Sequence, residues 1–185
     1  MTRIIAAMNM TLDGFCDHTA GIPDEALHQH YTELLDKGAI ALYGRITYQL
    51  MEYWRPMVKN PTGNKSMDEF AIAIDRIPKI VFSHTLKNVD WETATLARQG
   101  LEETVLALKQ PGDGGDKNIL ICSPGLIVQL TNLHLIDEYQ LCIHPVVAGS
   151  GLPLFKNIHE QMMLKLIKTK TFDSGGIILY YEPQK

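Results

Sequence analysis

Short apolar runs typical of β-strands alternate with stretches of helical periodicity along the first part of the chain. The apolar runs predict strands over residues 3–9, 39–43, 79–82, 89–91 and 118–122. Helices are predicted from Asp24 up to Gly38 and over residues 45–52, 66–74, 99–109 and 124–134. Strands that alternate with helices favour βαβ units, and these units place their strands parallel in one sheet.

After Asp137 the pattern changes to strands alone, predicted over residues 138–146, 162–172 and 176–182. Gly175-Gly176 is expected to turn the last hairpin, and the polar segments 57–65 and 111–116 are expected to be loops. The chain is therefore predicted to be an α/β protein with a mixed, mostly parallel central sheet, flanking helices and an antiparallel C-terminal hairpin. The apolar strand 177–181 is expected to be exposed and covered by a helix or a second copy.

Three predicted strands end abruptly in residues suited to hold phosphate. The transitions are Ala39–Tyr43 into Gly44-Arg45-Ile46-Thr47, Ile80–Phe82 into Ser83-His84, and Ile119–Cys122 into Ser123-Pro124-Gly125. Parallel strands end at the same edge of a sheet, and helices that begin there direct unpaired N–H groups and a partial positive charge at an anion. The pattern favours a ligand with several phosphates.

The residues at the first and third transitions have separate expected roles. Gly44 is expected to allow a tight turn, Arg45 to grip phosphate with its guanidinium, and Thr47 to place a hydroxyl in the first helical turn. Ser123 is predicted to cap the next helix, with Pro124 in the first helical position. The alternative interpretation is that these are ordinary helix starts with a surface arginine.

Composition and charge restrict the class of protein. With 185 residues, of which 45% are hydrophobic and 21% charged, the chain fits one soluble globular domain over residues 1–185. The net charge of -4 and the lack of a basic cluster argue against nucleic-acid binding. No run approaches the roughly 20 apolar residues that cross a bilayer, so a cytoplasmic protein without membrane contact is expected. The three cysteines are expected to be free thiols, and the seven histidines lack the spacing of a metal site.

Several motifs together resemble the dihydrofolate reductase-like fold, in the branch that includes the C-terminal reductase domain of bacterial riboflavin-biosynthesis deaminase-reductases. The resemblance covers nearly the whole chain. It rests on Ile5–Met8 leading to Thr11–Phe15, on Tyr43–Tyr48, on Val81–Ser83, on Leu135–Tyr139, and on Pro145–Gly151 through Phe155.

The resemblance implies NADPH as the hydride donor, a pterin, pyrimidine or similar small heterocycle as the substrate, and a homodimer. Carried over to this sequence, it implies that Ala7 and the Asp13-Gly14 loop lie near the nicotinamide. It further implies phosphate contacts at Gly44, Arg45 and Thr47, a contact of Ser83 with the 2'-phosphate, and pyrophosphate contacts along Ser123, Pro124, Gly125, Leu126 and Ile127. Relatives commonly have Gly-Gly at the place of Cys122-Ser123, often with a cis peptide, so the Cys122–Ser123 and Ser123–Pro124 bonds are both candidates for the cis form.

Two acids compete for the role of proton donor. The resemblance to dihydrofolate reductases matches Glu25, which follows Pro23 at the start of the first helix, whereas helical periodicity places Asp24 nearer the apolar face. A third interpretation is that both carboxylates only complement the helix dipole.

Two functions are alternatives to a reductase: a noncatalytic nucleotide-binding sensor, and a dimeric scaffold with the same fold.

Overall fold

The computed structural model describes residues 2–110 and 118–184. The strands are β1 (Ile4–Thr11), β2 (Gly38–Gly44), β3 (Lys79–Phe82), β4 (Ala94–Leu96), β5 (Asn118–Ile121), β6 (Glu138–His144), β7 (Leu164–Thr171) and β8 (Ile177–Pro183). The helices are α1 (Glu25–Asp36), α2 (Arg45–Met51), α3 (Arg55–Lys59), α4 (Lys65–Arg76), α5 (Leu101–Leu108) and α6 (Pro124–Asn132). A short 3-10 helix, Glu52–Trp54, joins α2 to α3.

The described strands form one mixed sheet in the order β4-β3-β2-β5-β1-β6-β8-β7. The run from β4 to β6 is parallel, whereas β8 is antiparallel to both β6 and β7. Gly175 has a φ of +82° in the β7–β8 turn, a conformation that glycine adopts without strain. The predicted mixed sheet with an antiparallel C-terminal hairpin is confirmed.

Helices cover both faces of the parallel part of the sheet. Alternate residues of β1 point to opposite faces, so that Ile5 and Ala7 pack with α1 and α4, while Ile4 and Ala6 pack with α5 and α6. The connection from β1 to β2 runs over one face, and the connection from β5 to β6 runs over the other. A crevice therefore opens at the carboxyl ends of β5 and β1, where ligands bind in open α/β sheets.

Two local predictions are wrong. Residues 89–91 form no strand, because the Trp91 side chain is buried and its indole Nε1–H donates to Asp75 at 2.7 Å. The short strand β4 follows at Ala94–Leu96. Residues 55–59, expected to end a helix and begin a loop, form α3. Pro56 lies in the first turn of that helix, where its missing N–H costs no hydrogen bond.

The last strand, β8, does not lie exposed at an edge as expected, because it is inserted between β6 and β7, and the edge strands are β4 and β7. The homodimer stays a prediction.

The expected loop 111–116 lies outside the described residues. None of the helices in residues 2–110 and 118–184 is long and apolar enough to cross a bilayer.

Candidate functional site

The three predicted transitions lie side by side at the carboxyl edge of the sheet. β2 is flanked by β3 and β5, with Gly44 opposite Phe82 and Leu42 opposite Ile121. Because Ser83 follows Phe82 directly, and Ser123 follows Ile121 by two residues, both serines reach the edge next to Gly44. The expected convergence of these strand ends is therefore present in the fold.

A hydrogen bond joins the first transition to the third. The Gly44 N–H donates to Ser123 Oγ at 2.8 Å, and Ser123 is only 3% exposed. Ser123 occupies the N-cap position of α6, but its hydroxyl does not cap the helix as predicted, because it accepts the N–H of the neighbouring strand end. The turn at Gly44 also needs no glycine, since its φ of -77° suits any residue.

The first turn of α6 presents its backbone at Gly125. The Leu126 and Ile127 N–H groups both donate to the Ser123 carbonyl, at 3.1 and 2.9 Å, and the two side chains are buried in the core. The Gly125 N–H has no recorded partner in the described part of the chain, and a Cβ built on Gly125 would meet no atom within 4 Å. Gly125 therefore presents an N–H that is open to a ligand in the first turn of this helix.

Pro124 and Gly125 also form one end of an open groove of about 640 Å³, which runs between α6 and the segment 152–159. The residues described here contain no cis peptide bond, so neither Cys122–Ser123 nor Ser123–Pro124 is cis.

Arg45 and Thr47 begin α2 beside this edge. The Arg45 side chain is exposed, and its single recorded bond is donated by Nη1 to Gln49 Oε1 at 3.2 Å. Thr47 is half-buried in the first turn. Most of the guanidinium is thus available to an anion in solution, where its charge is permanent.

Ser83 turns the chain at the end of β3. Its Oγ accepts the backbone N–H groups of Thr85 at 3.1 Å and Leu86 at 3.0 Å. Because two N–H groups already point at this oxygen, its hydroxyl proton is directed away from them, to Thr85 Oγ1 at 3.5 Å or to an added acceptor such as a phosphate oxygen. The half-buried Ser83 side chain is therefore an oriented donor next to Arg45.

The Asp13 carboxylate connects two loops at the end of β1. It accepts the Thr11 hydroxyl at 2.6 Å and the N–H groups of Gly149 at 2.7 Å and Ala148 at 3.1 Å. These bonds, that of Thr11 above all, lower the pKa of Asp13 to about 2. Gly14 follows with a φ of +91°, which favours glycine. Asp13 therefore holds the loop after β1 against the loop after β6.

Ala7 lies deeper in the same strand than the Asp13-Gly14 loop. It is 3% exposed and packs in the cluster that α1 and α4 form over the sheet. Its methyl group is part of the wall beneath the crevice, so any contact with a ligand is made where the strand emerges from the core.

The two competing carboxylates at the start of α1 have different surroundings. Asp24 is the N-cap: it accepts the Leu27 N–H at 2.8 Å, and its second oxygen accepts the Ser174 N–H of the last hairpin at 2.9 Å. Burial opposes ionisation of Asp24, but these hydrogen bonds outweigh it and lower the pKa. Glu25 is exposed in the first turn. Asp24 is thus an ionised structural carboxylate, whereas the Glu25 side chain has no hydrogen bond or ion pair within residues 2–110 and 118–184.

Asn9 was not singled out by the sequence analysis, although it lies at the end of β1 on the face towards α1. Its Oδ1 accepts the Tyr31 hydroxyl at 2.9 Å and lies 3.1 Å from His144 Nε2. His144 is 3% exposed, and its Nδ1 accepts the Ile22 N–H at 3.2 Å. The signal in the sequence was a polar amide at position 9, where the alternation of Ile5 and Ala7 predicts another apolar residue on the same face of the strand.

The cysteines Cys16, Cys122 and Cys142 are free thiols, as expected. Burial raises the pKa of each, to about 11, 12 and 12 respectively, so the thiols are protonated at neutral pH. Among the described residues no group of His, Cys, Asp and Glu side chains is arranged to hold a metal ion.

The mixed sheet, parallel with an antiparallel C-terminal pair and flanked by helices, defines an α/β protein of the dihydrofolate reductase-like class. Within that class the chain belongs to the RibD C-terminal domain family, whose model matches residues 2–178. A relative named uncharacterized protein YyaP, from Bacillus subtilis, is 33% identical over 183 residues, covering 97% of this chain and 94% of YyaP.

Solved structures share the fold at low sequence identity. A putative riboflavin biosynthesis protein from Shewanella is 17% identical with a TM-score of 0.73, and the match covers 100% of both chains. A pyrimidine reductase-like protein from Corynebacterium diphtheriae is 14% identical with a TM-score of 0.66, covering 100% of this chain and 92% of that one. RibD from Acinetobacter baumannii is 15% identical with a TM-score of 0.63, and the chain covers 58% of its length.

Proposed function

We propose that this protein is an NADPH-dependent reductase that transfers hydride to a pterin, a pyrimidine or a similar small heterocycle. The observation that carries the proposal is the shared edge where Gly44, Ser83 and the open first turn of α6 lie side by side. Membership of the RibD C-terminal domain family supports it, and so do the names of structural neighbours that refer to riboflavin biosynthesis and pyrimidine reduction.

The residues at this edge suit a dinucleotide with an extra phosphate. The open N–H of Gly125 suits a pyrophosphate oxygen, and the Arg45 guanidinium and the Ser83 hydroxyl are two neighbouring donors for the 2'-phosphate. When bound, NADPH supplies the hydride. The tasks of the chain are to bind and orient the cofactor and the heterocycle, to exclude water and to assist one proton transfer.

The direct test is to offer purified protein NADPH together with a panel of pterins, pyrimidines and quinones, and to follow the absorbance of the reduced nicotinamide. A reductase consumes NADPH with at least one acceptor. A noncatalytic sensor binds NADPH without turnover, and a dimeric scaffold binds no nucleotide. If the protein is folded and consumes NADPH with none of the heterocycles in the panel, the proposal is contradicted.

Arg45→Ala is expected to reduce the affinity for NADPH about tenfold, because one charge-assisted contact with the 2'-phosphate is lost at an exposed, screened site. The affinity for NADH, which lacks this phosphate, is expected to change little. Fluorescence titration of both nucleotides measures the ratio. Arg76→Ala is the matched control, because that exposed guanidinium pairs with Asp36 at the opposite edge of the sheet. An unchanged preference in Arg45→Ala would remove Arg45 from the phosphate site.

Glu25→Gln and Asp24→Asn are expected to separate catalysis from stability. Asp24→Asn places an amide where the Ser174 N–H needs an acceptor, so the free energy of unfolding is expected to fall by about 1–3 kcal/mol with little change in kcat/KM. Glu25→Gln is expected to lower kcat/KM and leave stability unchanged, because the side chain is exposed. Thermal melts and steady-state kinetics measure the two effects. Unchanged kcat/KM in both variants would leave the two carboxylates with structural roles alone.

A further inference from the structure

Asn9 lies where β1 continues beyond its neighbour β5. The last recorded pair between these two strands is Ala6 with Ile121, while β1 extends to Thr11. On the other side β1 stays paired with β6 over its whole carboxyl half, with Asn9 opposite Cys142. The side of Asn9 that would face β5 is therefore unpaired, and it borders the crevice at the carboxyl edge of the sheet.

The orientation of the Asn9 amide is fixed by two donors. The Tyr31 hydroxyl donates to Asn9 Oδ1 at 2.9 Å. His144 Nδ1 accepts the Ile22 N–H at 3.2 Å, so the neutral imidazole carries its proton on Nε2 and donates it to Asn9 Oδ1 at 3.1 Å. Desolvation lowers the pKa of His144, which keeps the ring neutral. A flipped amide would point an N–H group at the Nε2–H of His144, so the oxygen stays in this place.

This arrangement leaves Asn9 Nδ2 as a donor with no acceptor from the protein. In residues 2–110 and 118–184, Nδ2 has no recorded hydrogen-bond partner, and it is not among the side-chain atoms that are buried without one. Nδ2 is therefore accessible as a donor at the carboxyl edge, and Tyr31 and His144 prevent the side chain from offering an acceptor there.

We propose that Asn9 selects substrates that carry a ring carbonyl, by donating from Nδ2 to the carbonyl oxygen of an oxo heterocycle. The inference rests on the proposed function and names the chemical class of its substrate. A heterocycle with an amino group at the same ring position would place donor against donor. Tyr31 and His144 act as positioning residues, because they hold the amide in the orientation that makes this choice.

The test compares pterin with diaminopteridine, which carries an amino group where pterin carries the ring oxo group. Fluorescence titration gives the affinity of each probe for the wild-type protein and for Asn9→Asp. The wild type is expected to bind pterin more tightly, by about 10- to 100-fold, because the wrong probe leaves a donor unpaired. Asn9→Asp keeps an oxygen for Tyr31 and His144 and replaces the donor by an acceptor, so the preference is expected to reverse.

Tyr31→Phe is a second variant that retains Asn9. Loss of one of the two donors to Oδ1 weakens the hold on the amide, so the ratio of the two affinities is expected to fall towards one, a change that a loss of packing alone would not produce. Asn60→Asp makes the same chemical change at an exposed site and is expected to keep the wild-type ratio. Thermal melts confirm that each variant is folded.

Two results would overturn the inference. One is a wild-type protein that binds neither pteridine, and the other is an affinity ratio that stays the same in Asn9→Asp and Tyr31→Phe. Binding of NADPH is measured separately on the same samples. Reversal of the pteridine preference without NADPH consumption would support Asn9 as the selecting residue and refute the reductase, whereas consumption with an unchanged ratio would do the opposite.

Discussion

Replacing Gly125 with valine is expected to weaken NADPH binding by about 10- to 100-fold, the equivalent of one or two lost hydrogen bonds to a charged group. The Gly125 N–H is the open donor in the first turn of α6, and the space that its missing side chain leaves is empty. A branched side chain would fill this space and keep a pyrophosphate oxygen from the backbone.

Stability is expected to stay the same or rise in Gly125→Val. No atom lies within 4 Å of the position that a Cβ would take, so the substitution creates no clash. Glycine is also a poorer helix former than valine, by a few tenths of a kcal/mol. A loss of nucleotide affinity therefore cannot be attributed to unfolding, which makes the variant a clean test of the phosphate site.

Calorimetric titration of NADPH with thermal melts of the same samples measures both effects. Gly100→Val is the matched control, because Gly100 precedes α5 and a Cβ there also meets no atom within 4 Å. The control is expected to bind NADPH like the wild type. Unchanged affinity in Gly125→Val would show that the cofactor does not use the first turn of α6.

Lys79→Met is expected to change how stability depends on pH in the alkaline range. Lys79 is 1% exposed, and its Nζ donates to the Ile77 carbonyl at 2.7 Å and to Thr93 Oγ1 at 2.7 Å. The ammonium also lies 4.2 Å from the centre of the Trp91 ring. Desolvation lowers the pKa of Lys79 from 10.5 to about 8, although the nearby Asp75 opposes the shift.

Proton binding determines whether the contribution of Lys79 to stability rises or falls with pH. Below pH 8 both the folded and the unfolded state carry the proton, and the folded state bears the full cost of the buried charge. Between pH 8 and 10.5 the unfolded state binds more protons, so the contribution of Lys79 to stability rises with pH. Over this range the free energy of unfolding of the wild type is expected to gain up to about 3 kcal/mol relative to Lys79→Met.

Urea unfolding of both proteins at several pH values measures this difference. The buried thiols of Cys122 and Cys142, whose pKa is raised to about 12, destabilise both proteins alike as the pH rises, and their effect cancels. Lys87→Met, at an exposed position, is expected to follow the wild type. A difference between wild type and Lys79→Met that stays constant from pH 7 to 10.5 would contradict the buried charge.

The strands and the order of the helices could be predicted because burial leaves a local signal. Residues 119–121 form an apolar run that predicts a strand, and α1 shows helical spacing with an acid in its first turn. The prediction of a strand at 89–91 was wrong because the conformation of this segment depends on contacts with residues that are distant in the sequence. Trp91 bonds to Asp75 of α4, a contact that no local pattern contains.

The candidate site was predictable in its location and less so in its details. Gly44, Ser83 and Ser123 could be assigned to one edge because parallel strands end together. The bond from the Gly44 N–H to Ser123 Oγ could not be predicted, because it depends on the register between two strands far apart in the chain. Asn9 was missed for the same reason, since its partners come from α1 and β6.

The sequence by itself determined the alternation of helices and strands, the antiparallel end and the three strand ends at one edge, because periodicity and turn residues act over a few neighbouring residues. Only the tertiary structure decided which hydroxyl and N–H groups remain open to a ligand. Each such group is satisfied or left free by partners that are remote in sequence, and folding alone brings these partners within hydrogen-bond distance. Within the described residues, Gly125 N–H and Asn9 Nδ2 are left as donors without an acceptor, whereas Ser123 Oγ and both Asp24 oxygens already accept N–H groups of the chain.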